Sequence, residues 1–476
     1  MKKNSSIIAA VLLFALNLNA QNDIPEQFKP RLLLRATLID ANHWENAAYT
    51  AANFHRPLSD GQPGFEDWAF SMIVNPSMNQ ATELNLSAVN TLSWGAQHLA
   101  NTLVKPKSFV RKSANAIAAQ LLSAPAVYAL GGFPLGGGWL HEEYHRAVLA
   151  TNRVASNHPF TDFKLDLSDG SVRNLYDDAL SNFKRNDPHS FIRMLTAGAE
   201  GELIAVQRMQ ENNFFEDANL PIELTSIIYT ASATAYLGDS YESIDDTNIP
   251  LNEKDGADVL ERDFTGHDFS GWIWHLFRPD VPYDSLGIHP SGVGINRYIT
   301  SDRLTAQEKE YYDRIKQLAG LSFISPMFLG FRKIKIKDGV YGNFAMQYQA
   351  NAFGTDLSVR LYFKNLKNKF CFGFHNYSNY ENDFYAAEFN WVDFHINNLE
   401  NVSFTSRIML GAQPENQDFF TDQSQFFGLL SVNTQYQLRE NIGVYLQLQA
   451  KTEGWVAGDE YLSGMVRART GLSLFF

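Results

Sequence analysis

Val466-Arg467-Ala468-Arg469-Thr470-Gly471-Leu472-Ser473-Leu474-Phe475-Phe476 ends the sequence, and its side chains alternate. Arg467, Arg469 and Ser473 fall on one face of an extended strand; Val466, Leu472, Leu474 and Phe476 fall on the other. The same period of two runs through Phe344-Ala345-Met346-Gln347-Tyr348-Gln349, Leu357 to Phe363, Val432 to Leu438 and Val444 to Gln449. About eight such segments, each roughly ten to fourteen residues long, lie between Gly342 and Phe476. Turns such as Phe353-Gly354-Thr355-Asp356 and Tyr380-Glu381-Asn382-Asp383 divide them. One face is greasy, and the other is largely Gln, Asn and Ser with an occasional Arg. Strands of this kind predict an antiparallel, about eight-stranded β-barrel over residues 321–476, set in a membrane. A soluble antiparallel sandwich would alternate in the same way, but with shorter strands and more charge on the polar face.

Aromatics make up 13% of the chain, with 35 Phe and 20 Tyr, and many of them fall in this last third, as a barrel with aromatic girdles requires. A strand ending on Phe476, with Leu472 and Leu474 on its face, also resembles the terminal strand of outer-membrane barrel proteins. At the other end, Met1-Lys2-Lys3 precedes an apolar stretch from Ile7 to Leu16 and the small residue Ala20. That stretch is too short to span a bilayer, so residues 1–20 read as a secretory signal peptide. The expected location is the outer membrane of a Gram-negative bacterium.

Between these ends the pattern is helical. Leu84, Leu86, Val89, Leu92, Leu99 and Leu103 keep close to helical spacing, and so do Phe191, Met194, Leu195, Ala199, Leu203, Val206 and Met209. The expected fold class is therefore α+β, with a mainly helical N-terminal domain over residues 21–320 followed by the barrel. The net charge of -13 and the lack of clustered Lys and Arg argue against nucleic acid as a partner. The lone cysteine, Cys371, excludes an intrachain disulfide and any multi-Cys metal site, so metal ligands would be His, Asp or Glu.

Within the helical part, Trp139-Leu140-His141-Glu142-Glu143-Tyr144-His145-Arg146 carries H-E-x-x-H. Histidines four apart share a helical face and can bring two imidazole nitrogens to one ion. The motif follows a run from Ala114 to Leu140 without one charged residue. Charge set against so apolar a flank is costly unless paired or bound to metal. The alternative is that His141 to His145 is a solvated helix face.

The motif resembles the zincin metallopeptidases. That resemblance implies Zn²⁺ as cofactor, His141 and His145 as ligands, Glu142 activating a zinc-bound water as general base, and a third ligand downstream, for which Glu200 is the first candidate and Glu202 the second. His158, His189, His267, His275 and His289 compete for that place, and His289, Tyr298 or Arg297 could stabilise an oxyanion. No third His stands at the metzincin spacing, so the likeness stays at clan level.

The leading expectation is an outer-membrane zinc metallohydrolase acting on a protein or peptide substrate, with outer-membrane lipids around its barrel. A lipid- or peptidoglycan-acting hydrolase stays open, its uncharged runs at Ala114 to Leu140 and Leu224 to Leu237 then lining an acyl cavity. So does a non-enzymatic barrel with a helical scaffold. A di-iron site would need a second Glu-x-x-His, which the sequence lacks.

Overall fold

The computed structural model describes residues 30–41, 75–129, 135–158, 171–397, 399 and 401–476. The expected signal peptide lies outside them. Among the described residues there are nine α-helices: α1 (Met78–Leu103), α2 (Phe109–Ala129), α3 (Gly137–Thr151), α4 (Asp177–Asn186), α5 (Pro188–Phe215), α6 (Glu223–Leu237), α7 (Tyr241–Lys254), α8 (Asp268–Leu276) and α9 (Ala306–Leu318). The strands are β1 (Leu33–Asp40), β2 (Ile334–Lys337), β3 (Val340–Asn351), β4 (Gly354–Asn365), β5 (Lys369–Ser378), β6 (Asp383–Phe394), β7 (Val402–Pro414), β8 (Ser424–Arg439), β9 (Ile442–Lys451) and β10 (Met465–Phe475). A helical N-terminal part followed by an antiparallel sheet is what the change of period predicts.

Two features of the expected barrel are corrected. The sheet has ten strands rather than about eight, in the order β1-β10-β9-β8-β7-β6-β5-β4-β3-β2, and it is not closed into a barrel. The two strands beyond the expected eight are the short β2, just before them, and, from the turn-rich N-terminal region, β1, which pairs antiparallel with β10. The alternation of β1 is broken by a bulge between Thr37 and Ile39, which hides it from a period-two search. The bulge leaves Leu38 and Ile39 exposed and turns Asp40 inward, onto Arg467 and Arg469.

At the far end of the sheet the short, exposed β2 pairs only with the start of β3, and other elements hydrogen-bond the free edge of β1 and the rest of β3. On β1, the Ser87 hydroxyl accepts from Arg35 N–H at 3.1 Å and donates to Arg35 C=O at 2.9 Å, Asn90 donates to Leu33 C=O, and Gln80 donates to Thr37 C=O. These side chains recur at helical spacing along one face of α1. On β3, Ser322 repeats the device, accepting from Tyr348 N–H at 2.9 Å and donating to Tyr348 C=O at 3.1 Å. Ser322 belongs to the 3-10 turn Ala319–Phe323, against which α6 packs, and α2 bridges α6 to α1.

One face of the sheet, the inner one, buries Arg360, His375, Glu388, Arg467 and Arg469, while Phe374, Leu410, Leu448 and Val466 on the outer face are exposed. Helix α5 runs along the inner face. Near its start Arg193 donates to the carbonyl of Asp459 in the β9–β10 loop, and at its end the Phe215 carbonyl accepts from Lys364 of β4. Almost every residue of α5 from Ser190 to Gln210 is buried, so it serves as a spine with the sheet on one side and α3, α6 and α8 on the other.

Candidate metal centre

The H-E-x-x-H stretch lies on α3, which packs against α5 at two glycines. A Cβ built on Gly198 would stand 2.3 Å from the His141 ring and 2.4 Å from His145 Nε2, and one on Gly201 would stand 2.8 Å from the Tyr144 ring. Both distances are far inside van der Waals contact, so the rings occupy space that only glycine leaves. Gly198→Ala is expected to displace the imidazoles. The alanine would gain up to about 1 kcal/mol of helix propensity, but overpacking costs about 1–3 kcal/mol, so the variant should melt lower and bind metal more weakly. A thermal melt with and without added Zn²⁺ reads both effects.

The third group at the rings is Asp268, the first residue of α8. Its Oδ2 lies 3.1 Å from His141 Nε2 and 3.1 Å from His145 Nε2. Three donors bonded to one ion at about 2.0–2.2 Å in a tetrahedron stand about 3.4 Å apart, so the two nitrogens and the oxygen are already near ligand spacing. Among the described residues these three form a group able to hold a metal.

The remaining ring nitrogens are fixed from behind. His145 Nδ1 is 2.6 Å from the Met194 carbonyl, which keeps the proton on Nδ1 and leaves the buried Nε2, which has no other hydrogen-bond partner, bare for a ligand role. His141 Nδ1 is 3.7 Å from Glu202 Oε1, which also accepts from the Ser232 hydroxyl.

Glu200 is not with the rings. Its carboxylate accepts from Arg193 at 2.6 Å and from the Gly458 N–H at 2.7 Å, so the residue expected as third ligand bolts α5 to the β9–β10 loop instead. Helical geometry explains the difference. Glu202 is four residues after Gly198 and shares its face, whereas Glu200 is two after and points to the opposite side. Glu202 accordingly stands behind His141, and Asp268 is the donor that the sequence reading missed. The signals for it were the Gly198-x-x-Gly201 pair, which marks the helix face closest to α3, and the Thr265-Gly266-His267-Asp268 run opening a helix.

Four of the five competing histidines are engaged elsewhere, and the fifth, His189, has a buried Nδ1 with no hydrogen-bond partner and joins no metal-capable group among the described residues. His158 meets Glu143, itself paired with Arg146, in a fully buried cluster on the far side of α3. His267 meets Asp239, His275 accepts from Lys184, and His289 pairs with Ser291. Burial pushes the Lys184 amine down to about 7 and the His275 imidazole below its ordinary value. Of the oxyanion candidates, Arg297 is taken by Asp177 and Tyr298 by Asp255.

Two polar groups remain at the mouth of the centre. Glu142 is half-buried; burial raises its carboxyl well above the usual range, partly offset by His141. The Tyr236 hydroxyl accepts from the Asp268 N–H at 3.0 Å, and its ring lies 5.7 Å from that of His141. Burial would raise the Asp268 carboxyl, but His145 and His141 outweigh it and hold it well below the carboxylate range. A cavity of about 230 Å³ lies elsewhere, between α5 and the sheet, lined by Arg208, Glu211, Glu388, Arg407 and Tyr445. It does not include His141, His145 or Asp268.

No protein-family model matches this chain, and no curated protein matches it. Among solved structures it has a likeness to Acinetobacter baumannii OccAB3, at 11% identity and a TM-score of 0.23, covering 30% of this chain and 46% of that one. The match thus spans less than half of OccAB3's length, and a similarity this low carries no argument about fold or function.

Proposed function

We propose that this chain is a zinc-dependent hydrolase, with a peptide as the leading substrate class, held in the outer membrane by its sheet. The observation that carries the enzymatic half is the convergence of His141 Nε2, His145 Nε2 and Asp268 Oδ2 at ligand spacing, with a backbone carbonyl and a carboxylate behind the rings. Zinc bound there would supply a Lewis acid and lower the pKa of water toward neutrality. Glu142, next in sequence to His141, then acts as general base: its carboxylate takes the proton from the attacking water and returns it to the leaving nitrogen. Tyr236 spends a lone pair on the Asp268 N–H, so its own proton is available to a developing oxyanion.

The membrane half rests on the exposed apolar residues of the sheet's outer face and on its edges. Aromatic pairs Phe370–Trp391, Phe372–Phe389 and Trp391–Phe394 cluster on the outer face near one rim, where a bilayer interface would hold them. An unpaired sheet edge in lipid costs several kcal/mol per exposed backbone group, and the free edge of β1 and the part of β3 beyond β2 are both hydrogen-bonded by other elements.

Metal analysis of the detergent-purified protein tests the enzymatic reading. About one zinc per chain is expected, together with hydrolysis of a mixed peptide substrate that stops on chelation and returns with Zn²⁺. Metal-free protein that takes up no zinc would leave only a scaffold.

A further inference from the structure

We propose that helices α1, α2 and α6 form a lipid-facing wall between the two ends of the sheet, from β1 to the stretch of β3 beyond β2, so that the bilayer contacts a mixed strand-and-helix perimeter. This rests on the bilayer reading above. Each of the three helices leaves an apolar stripe exposed while burying polar residues beside its core-facing apolar ones. On α1 the buried side carries Gln80, Asn85, Asn90 and Gln97 beside Met78, Ala81, Leu86 and Val89, whereas Leu92, Leu99 and Leu103 are exposed. On α2, Asn115 and Ser123 are buried while Ala114, Ala118, Leu121, Leu122 and Pro125 form an exposed stripe at helical spacing. On α6, Thr225, Tyr229 and Thr230 are buried, and Leu224, Ile228 and Ala235 point outward, half-buried or exposed. A water-facing helix carries polar residues on its exposed stripe.

The wall is continuous with the sheet. α1 hydrogen-bonds the free edge of β1, Asn85 of α1 donates to the Tyr229 hydroxyl of α6, and Gln120 of α2 accepts from the Leu224 N–H of α6. No described helix is long and apolar enough to cross a membrane alone, and none needs to be, since only one stripe of each meets lipid. At 26 residues α1 extends about 39 Å, longer than the roughly 30 Å hydrocarbon core.

The charges fit as well. The turn joining α1 to α2 and the first turn of α2 hold Lys105, Lys107, Arg111 and Lys112 with no acidic residue among them, at the end of the apolar stripe where anionic headgroups would lie. The occupant this surface fits is therefore a phospholipid bilayer with anionic headgroups rather than a protein.

Single cysteines carrying an environment-sensitive fluorophore test the wall in the full chain, reconstituted in phosphatidylethanolamine–phosphatidylglycerol vesicles containing brominated acyl chains. Leu99→Cys, Leu121→Cys, the strand control Leu448→Cys and the loop control Ile288→Cys replace side chains that are 50%, 59%, 53% and 75% exposed, so quenching separates lipid contact from exposure. Cys371 is buried and does not compete for label. The expected result is a roughly twofold or greater fall in emission at Leu99, Leu121 and Leu448 and none at Ile288. Quenching at Leu448 without quenching at Leu99 and Leu121 overturns the wall and keeps the embedded sheet. No quenching at Leu448 overturns both. Ala118→Cys repeats the reading on α2 if Leu121→Cys fails to fold.

Discussion

Asp268→Ala is expected to abolish metal binding at any zinc concentration that saturates the wild type, while Glu200→Gln keeps its metal. Loss of a group that merely orients a ligand typically weakens a metal site about 10–100-fold, so loss of one of three direct donors should exceed about 100-fold. Asp268 Oδ2 is the oxygen shared between both Nε2 atoms, and without it the two imidazoles face each other with no anion to offset the ion's charge. Glu200 sits on the opposite face of α5, on Arg193 and the Gly458 N–H. Neutralising it strands a buried guanidinium, and breaking such a pair costs about 3–5 kcal/mol. The two variants should separate cleanly: Asp268→Ala empties the site and leaves the sheet contact intact, and Glu200→Gln lowers the melting temperature with zinc still bound. Zinc titration against a chromophoric chelator, run beside thermal melts, reads both. The reverse result, with metal lost in Glu200→Gln and kept in Asp268→Ala, would restore the ligand set expected from sequence and remove the present centre.

What the sequence made legible follows from which signals are local. Strand periodicity in the C-terminal third is local, and so is the four-residue spacing of His141 and His145; the structure has the inward and outward faces of β10 as alternation predicts, with Arg467, Arg469 and Ser473 buried and Val466 exposed. The third donor is not local, because Asp268 reaches the rings only through the packing of α8 on α5. β1 was missed because its bulge breaks the period, and closure of the barrel was over-read because alternation reports two faces and says nothing about edges. The helical spacing on α1 is real, but its apolar positions divide in the structure: Leu86 and Val89 are buried in the hydrophobic core with Leu84 packed against it, whereas Leu92, Leu99 and Leu103 are exposed, because spacing alone does not say which face meets the rest of the molecule.

Two adjacent acids on α3 provide the sharpest test of chemistry against structure. Glu142→Gln is expected to retain zinc and fold while losing about 10²- to 10⁴-fold in kcat, the range typical of a positioned general base. That is about 2.7–5.4 kcal/mol of transition-state stabilisation at 1.36 kcal/mol per tenfold. The amide keeps the shape of the side chain and cannot take a proton, so KM should change little. Glu143→Gln should behave in the opposite way. Glu143 lies on the far side of α3, where its two oxygens accept from Arg146 at 2.7 and 2.8 Å and one meets His158 at 2.8 Å, all out of solvent. Replacing it removes the buried carboxylate that Arg146 and His158 share, so stability falls by a few kcal/mol and the turnover of the remaining folded protein stays near wild type. Because the residues are neighbours in sequence, general disturbance of α3 would affect both rates alike. Only a base at 142 and an anchor at 143 produce a rate loss in one variant and a stability loss in the other. Equal kcat in Glu142→Gln and the wild type would remove Glu142 from the chemistry and leave the metal centre without a base.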